Sequence, residues 1–122
     1  MATVRYIVSD VDESVVFFVE ALGFTLERQF GPNMAILHRG DATIWLAGPG
    51  ASASRPMPDG SQPAPGGWNR IQLPVADIAA EVERLRTVGL QFRNEILKGV
   101  GGSQIVLDDP FGNPIELFQP AE

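Results

Sequence analysis

The chain of 122 residues contains no cysteine and a single histidine, His38. The absence of cysteine excludes disulfides, thiolate metal sites and cysteine nucleophiles, and it is compatible with a reducing compartment. With one histidine, a Ser-His-Asp triad or a histidine-rich metal site must use His38 or be absent. His38 precedes Arg39-Gly40-Asp41, a turn-forming sequence, so we expect it to be exposed rather than catalytic.

Positive charge and long apolar runs are also scarce. Nine Lys and Arg against 15 Asp and Glu give a formal net charge of −6. An acidic chain lacks the cationic surface that nucleic acids and anionic membranes attract, so neither is expected as a partner. No apolar run approaches the roughly 18 residues of a membrane span, and no segment has the pattern of a signal peptide. These absences predict a soluble, cytoplasmic protein.

Proline and glycine are concentrated in residues 49–67, which read PGASASRPMPDGSQPAPGG. Both residue types interrupt helices and inner strands, so this stretch is predicted to be a linker. It separates a first module, residues 1–48, from a second module, residues 68–122. Each module has about 50 residues, few for an independent core, so we expect one domain over residues 1–122.

The first module has the pattern of a βαβββ unit. Val4–Val8 is a β-prone run, and Asp10 with Glu13 forms a capping-box pattern at the start of a helix. Apolar residues then recur at helical spacing until a glycine stop; they are Val11, Val15, Phe18 and Leu22, followed by Gly23. Three short strands are predicted next, at Phe24–Arg28, Met34–His38 and Thr43–Ala47.

The second module repeats this order. A strand is predicted at Ile71–Val75, and Asp77 and Gly89 mark the start and end of a helix. The three strands that follow are predicted at Leu90–Asn94, Gln104–Leu107 and Ile115–Phe118. Short matching segments recur at nearly constant spacing, such as Ile44-Trp45-Leu46 and Ile115-Glu116-Leu117. The sequence therefore predicts an α+β fold of two tandem βαβββ modules.

Asp108–Phe118, DDPFGNPIELF, resembles the closing DPxGNxxEL motif of the vicinal oxygen chelate superfamily, which includes glyoxalase I, bleomycin resistance proteins and extradiol dioxygenases. Asp10–Ser14, with Phe17-Phe18 and Ala21–Phe24, resembles the first helix of that family. The resemblance covers nearly the whole chain. It implies a mixed-sheet, half-barrel cleft formed by the two modules, but a fold does not specify a reaction. In the closing motif, Gly112 and Asn113 are expected to be turn residues that admit a positive φ.

Metal enzymes of this family place one ligand on each of four strands, and the matching positions here are Thr3, Trp45, Arg70 and Glu116. Only Glu116 is a metal-ligand type, since arginine keeps its proton and cannot coordinate. The resemblance therefore implies no metal site, and no cofactor is expected. An unpaired Glu116 in a partly apolar cleft is costly, so we predict a bidentate pair with Arg70. Alternatively, Arg70 points to solvent and Glu116 is an ordinary strand residue.

Residues two apart on a strand share a face, so Arg5 is expected to face the cleft with Thr3, and Gln72 with Arg70. Trp45 either stacks on a planar ligand or packs in the core. The predicted ligand-binding residues are Arg5, Trp45, Arg70, Gln72 and Glu116. Trp68 either covers the mouth of the cleft or anchors the linker, and we favour the anchor.

Three functions remain open. The favoured one is a metal-independent, small-molecule-binding protein of the glyoxalase/bleomycin resistance type. The second is an enzyme of the superfamily, a lyase or isomerase, with Glu116 as general base. The third is a scaffold whose cleft is filled by side chains. The expected partners are a small molecule in the cleft and a second copy of the chain. The second copy is expected because Phe17, Phe18 and Val19 give the helix more apolar surface than one buried stripe needs, and a dimer would bury this extra face.

Overall fold

The computed structural model describes residues 2–122 and divides into two compact units. The first unit runs to Gly66 and also contains Asp109–Asn113. The second comprises Gly67–Asp108 and Pro114–Glu122. Each unit contains one four-stranded sheet. Among the described residues, no helix is both long and apolar enough to cross a membrane.

The sheet of the first unit has the strand order β1-β4-β3-β2. Its strands are β1 (Thr3–Ile7), β2 (Thr25–Phe30), β3 (Met34–Arg39) and β4 (Ala42–Ala47). The first and last strands, β1 and β4, run parallel, whereas the β2–β3 and β3–β4 pairs are antiparallel. A parallel pair needs a crossover connection, and the helix between β1 and β2 begins it.

Helix α1 (Val11–Val16) begins where the sequence predicts, with the Asp10 side chain accepting a hydrogen bond from the Glu13 amide at 3.0 Å. It continues as a π-helical turn, Phe17–Ala21. This wider turn directs both Phe17 and Phe18 into the core, where they are 8% and 0% exposed. The expectation that these phenylalanines form an exposed extra face is therefore wrong.

The second unit repeats the architecture with the order β5-β8-β7-β6. Its elements are β5 (Ile71–Pro74), α2 (Ile78–Thr87), β6 (Leu97–Gly99), β7 (Gly102–Asp108) and β8 (Pro114–Pro120). Again the first and last strands are parallel and the other pairs antiparallel. Asp77 caps α2 by accepting from the Ala80 amide at 3.1 Å. The α+β prediction of two tandem βαβββ modules is confirmed.

One predicted strand, Leu90–Asn94, is wrong. This segment forms only an isolated bridge between Phe92 and Leu107, and the strand beside β7 lies later, at Leu97–Gly99. The reason is the Asn94 side chain, whose Oδ1 accepts the hydrogen bond from the Val106 amide at 3.0 Å. A backbone carbonyl would fill this position in a continuous ladder, so pairing stops there.

The turn of the closing motif, Asp109–Asn113, is held by its own side chains. Asp109 Oδ1 accepts from the amides of Phe111 and Asn113, both at 2.8 Å. Asn113 Nδ2 donates to the Ile7 carbonyl at 2.8 Å, and its Oδ1 accepts from the Gly66 amide at 2.9 Å. Gly112 has a φ of 85°, as expected, but no non-glycine residue in the described chain has a positive φ. Asn113 therefore acts through its side chain rather than through its backbone conformation.

Candidate functional site

The parallel pair in each unit brings together the residues that the sequence selects. The register of β1 and β4 pairs Arg5 with Trp45. The register of β5 and β8 pairs Gln72 with Glu116. The duplicated modules thus place these two residue pairs at equivalent positions of their sheets.

In the first unit, the guanidinium of Arg5 lies over the ring of Trp45, 5.2 Å from the ring centroid. Trp45 is half-buried, whereas its neighbours Ile44 and Leu46 are fully buried. Because adjacent strand residues point to opposite faces, Trp45 lies on the sheet face opposite these two core residues. It is therefore a cation–π partner of Arg5 rather than a residue of that core.

In the second unit, the Glu116 carboxylate is buried, with 6% of the residue exposed, and is surrounded by donors. Arg70 Nη2 and Nε lie 3.0 and 3.1 Å from Oε1. Gln72 Nε2 donates to Oε2 at 2.8 Å. The Gln104 amide nitrogen, in the orientation that satisfies hydrogen bonding, lies 3.2 and 3.3 Å from the two oxygens. The predicted Arg70–Glu116 pair is confirmed.

The bidentate geometry predicted for this pair is wrong. Both Arg70 nitrogens contact the same carboxylate oxygen, Oε1. The reason is that Gln72 occupies Oε2, while the third guanidinium nitrogen of Arg70, Nη1, donates to the Trp68 carbonyl at 3.2 Å. The pair therefore connects Glu116 to the chain segment that enters β5.

The four positions that hold a metal in enzymes of the resembling family do not fit a divalent ion here. Thr3 supplies only a neutral hydroxyl, Trp45 has no donor lone pair, and Arg70 places a permanent cation against Glu116. Among residues 2–122, no group of three or more His, Cys, Asp or Glu side chains is placed to hold a metal. We therefore assign no step to a metal ion.

The sole histidine lies in the β2–β3–β4 region of the first unit. His38 Nδ1 lies 3.0 Å from Thr43 Oγ1, and its Nε2 contacts the Glu27 carboxylate. Its side chain is 36% exposed, so the expectation of an exposed position is only partly met. Both ring nitrogens have partners, which gives His38 a structural position between neighbouring strands.

Sequence reasoning missed three features of the second unit. Gln104 lies two residues before Val106, which pairs with Glu116, so its place beside the carboxylate follows from the β7–β8 register and not from the sequence alone. Arg93 was hidden by the wrong strand prediction; its Nε donates to Asp108 Oδ1 at 2.6 Å. Its guanidinium also lies 4.6 Å from the Trp68 ring centroid.

The role of Trp68 as an anchor for the linker stays a prediction, but the residue does not act through burial. Trp68 is 71% exposed and is contacted by two arginines, Arg70 at its carbonyl and Arg93 at its ring. Its position is thus fixed by polar and cation–π contacts rather than by burial.

Residues 1–117 match the profile of the Glyoxalase/Bleomycin resistance protein/Dioxygenase superfamily. The chain belongs to this superfamily. No curated protein matches the sequence significantly.

Solved structures give the same fold. A superfamily member from Sphaerobacter thermophilus is 26% identical, with a TM-score of 0.76 over 98% of this chain and 95% of that one. TnmS3, an antibiotic binding protein from a Streptomyces species, is 26% identical, with a TM-score of 0.75 over 98% and 93% of the two chains. Lactoylglutathione lyase from Agrobacterium tumefaciens, 16% identical, has a TM-score of 0.75 over 98% and 92%, and shows the fold alone.

Proposed function

We propose that this superfamily member binds a small organic molecule without a metal ion. The binding residues lie on the parallel strand pairs of the two units, except for Arg70, which directly precedes β5. They are Arg5 and Trp45 in the first unit, and Arg70, Gln72 and Glu116 in the second. Most of them combine an apolar stem or ring with a polar group, the composition typical of small-molecule sites.

The observation that carries this proposal is the state of the Glu116 carboxylate. It is buried, and the Arg70 cation compensates its charge at 3.0 Å. In a metal enzyme, the ion itself would supply this positive charge. Here the chain supplies it from its own side chain, so the carboxylate is stable without a metal and remains beside the polar amides of Gln72 and Gln104.

The solved relatives support a binding role. TnmS3, at 26% identity, is an antibiotic binding protein, and its chain aligns over 93% of its length. For this chain, the exposed and half-buried aromatic and cationic groups favour an organic ligand that contains rings. This supports the class of ligand and not its identity.

The alternative of a lyase or isomerase with Glu116 as general base has less support. A general base must reach the proton that it abstracts. Both oxygens of Glu116 already accept hydrogen bonds, from Arg70 and from Gln72. A substrate would have to displace one of these donors before a proton is transferred.

The third alternative is a scaffold whose cleft is filled by side chains, and it differs from a binder in one measurable way. A ligand that favours the folded state raises the melting temperature, whereas an empty scaffold shows no such shift. We therefore propose a thermal-shift screen of uncharged and charged ring compounds, with metal analysis of the same purified protein. A positive shift without stoichiometric metal supports the proposal.

Two variants assign that shift to the site. Arg70→Met and Glu116→Gln are expected to reduce the ligand-induced shift. Arg84→Met is the matched control, since Arg84 also pairs with a carboxylate, Glu81 at 2.7 Å, but on α2. Stoichiometric Zn, Ni, Mn or Fe in the purified protein would overturn the proposal, as would a screen in which no compound raises the melting temperature. Turnover that Glu116→Gln abolishes would favour the enzyme instead.

We further propose that the protein is cytoplasmic and forms a homodimer. A chain without cysteine suits a reducing compartment. For the dimer, the support is an exposed apolar surface on the first unit, formed by α1, the π-helical turn and β2. It includes Val16, Val19 and Leu26, which are 54%, 36% and 38% exposed.

A further inference from the structure

Trp68 is the most unusual surface residue of the second unit. It is 71% exposed, although a tryptophan side chain gains more from burial than almost any other. The residues around it do not leave it free to move. They hold it at two points, each through an arginine that is itself paired with a carboxylate.

The first point is the backbone. Arg70 Nη1 donates to the Trp68 carbonyl at 3.2 Å, and the same guanidinium contacts Glu116. The neighbouring carbonyl, that of Gly67, accepts from Arg93 Nη1 at 2.9 Å. The two consecutive carbonyls at residues 67 and 68 are therefore fixed by different arginines, which defines where the side chain of Trp68 leaves the backbone.

The second point is the ring. The Arg93 guanidinium lies 4.6 Å from the indole centroid, and Asp108 Oδ1 accepts from Arg93 Nε at 2.6 Å. Arg93 thus covers one face of the indole, while the 71% exposure of Trp68 leaves the opposite face to solvent. An exposed ring that is already ordered loses little conformational entropy when a ligand stacks on it.

The charges around this ring are balanced. Arg70 is compensated by Glu116, and Arg93 is compensated by Asp108. An anionic ligand would find no unpaired cation among these four residues and would lie near two carboxylates. A cationic ligand would lie on an indole that already carries the Arg93 guanidinium on its other face. A flat, uncharged aromatic ring meets neither penalty.

We propose that the exposed face of Trp68 is a stacking platform for an uncharged, planar aromatic group of the ligand. Arg93 is a positioning residue that orients the indole and acts on the ligand only through it. The proposal rests on the proposed small-molecule-binding function and names the ligand class, because Arg70 joins the platform directly to the Glu116 carboxylate.

The test uses caffeine as a soluble, flat, uncharged probe. The chain has two tryptophans, so proton–nitrogen NMR correlation spectra show two indole signals, which Trp45→Phe and Trp68→Phe assign. We expect caffeine to shift the Trp68 indole signal saturably. Theophylline acetic acid, with a carboxylate on the same ring system, is expected to bind at least about threefold more weakly, and tetramethylurea, which has no ring, is expected to cause no saturable shift.

Three variants separate stacking from structure. Trp68→Leu keeps an apolar side chain without a π system. Because it lacks the Trp68 indole signal, its caffeine affinity is measured from the backbone amide signals of the neighbouring residues in both proteins, and we expect binding to weaken about fivefold or more. Arg93→Met is expected to weaken binding and to move the Trp68 indole signal in the free protein, and Arg93→Lys is expected to restore binding only in part. Arg86→Met is the control, since Arg86 lies 5.4 Å from the Phe92 ring and pairs with Glu95; it should leave binding unchanged.

The outcomes distinguish this proposal from the proposed function. A screened ligand that depends on Arg70 and Glu116 but binds Trp68→Leu with unchanged affinity would overturn the platform and leave the binding function standing. Saturable caffeine binding at Trp68, without any ligand that depends on Glu116, would support the platform and contradict the proposed function. Three results would overturn the platform. They are the absence of a saturable shift of the Trp68 indole signal, tighter binding of the carboxylate probe than of caffeine, and evidence that the Trp68 indole is buried in a dimer interface.

Discussion

Arg70 places two guanidinium nitrogens, at 3.0 and 3.1 Å, on a single oxygen of the buried Glu116 carboxylate. Gln72 takes the other oxygen, so the carboxylate is satisfied entirely by side chains of its own unit. The family resemblance places Glu116 at a metal-ligand position, and here its carboxylate is paired with the Arg70 guanidinium. A permanent guanidinium cannot exchange as a metal ion does, which makes this centre a fixed part of the fold.

Removing that cation should destabilise the protein. We expect Arg70→Met to lower the free energy of unfolding by about 2 kcal/mol, less than for a fully buried pair because the Arg70 side chain is 28% exposed. Urea denaturation of Arg70→Met, Glu116→Gln and the double variant measures the coupling between the two residues. A coupling below about 0.5 kcal/mol would show that the pair is not a stabilising interaction.

The aromatic cluster of the first unit should carry much of its stability. Phe18 is fully buried, with ring centroids 5.2 Å from Phe17 and 5.4 Å from Phe24. Phe18→Ala is expected to cost about 3–5 kcal/mol, the usual range for a buried phenylalanine. Phe30→Ala, at a position 43% exposed, is the control and should cost less than half as much in the same denaturation experiment. Similar losses in both variants would contradict this assignment of the core.

Alanine substitutions at Gly112 and Gly101 measure the cost of a positive φ, because neither position is crowded. A Cβ at either position would meet no heavy atom within 4 Å, but only Gly112 has a positive φ, 85°. We therefore expect Gly112→Ala to lower the unfolding free energy by about 1–2 kcal/mol and Gly101→Ala to leave it unchanged or raise it slightly. Equal effects of the two substitutions, measured by thermal or chemical denaturation, would show that the φ requirement is unimportant.

The exposed apolar surface of the first unit is expected to lie in a homodimer interface. Val16→Lys adds a charge at a site 54% exposed, so it should convert the dimer to a monomer in sedimentation experiments while leaving the melting temperature of the unit little changed. Val100→Lys, at a fully exposed turn, is the control and should not alter the mass. A wild-type monomer, or a dimer that persists in Val16→Lys, would contradict this prediction.

Helix starts and most strand positions could be predicted from the sequence, because they depend on interactions between residues that are close in the chain. Asp10 and Asp77 each precede a helix and accept from the amide three residues later, as the capping pattern predicts. Strands β3 and β4 are short, mainly apolar runs next to turn sequences, and their ends were predicted within one residue. The Arg70–Glu116 pair was also predictable, because the family resemblance placed both residues at metal-ligand positions, where the carboxylate needs a compensating cation.

Features set by tertiary hydrogen bonds were not predictable. The run from Leu90 to Asn94 has strand propensity, yet the Asn94 side chain takes the amide of Val106 and ends the ladder. Similarly, Phe17 lies outside a regular helical stripe, and only the π-helical turn brings it into the core. The contacts of Arg93 with Trp68 and Asp108 depend on this irregular segment, so the periodicity of the sequence gave no indication of them.

The position of the turn Asp109–Asn113 has a consequence for how the duplicated halves depend on each other. The turn belongs to the first unit, where Asn113 bonds to Ile7 and Gly66, although the strands that it joins along the chain, β7 and β8, lie mostly in the second. A fragment ending within residues 49–67 would lack the partner of the Ile7 carbonyl, and the complementary fragment would leave Asn113 with unmet hydrogen bonds. The first βαβββ repeat therefore depends on a turn that the second repeat encodes, so we expect residues 1–66 expressed alone to be less stable than the same residues in the full chain.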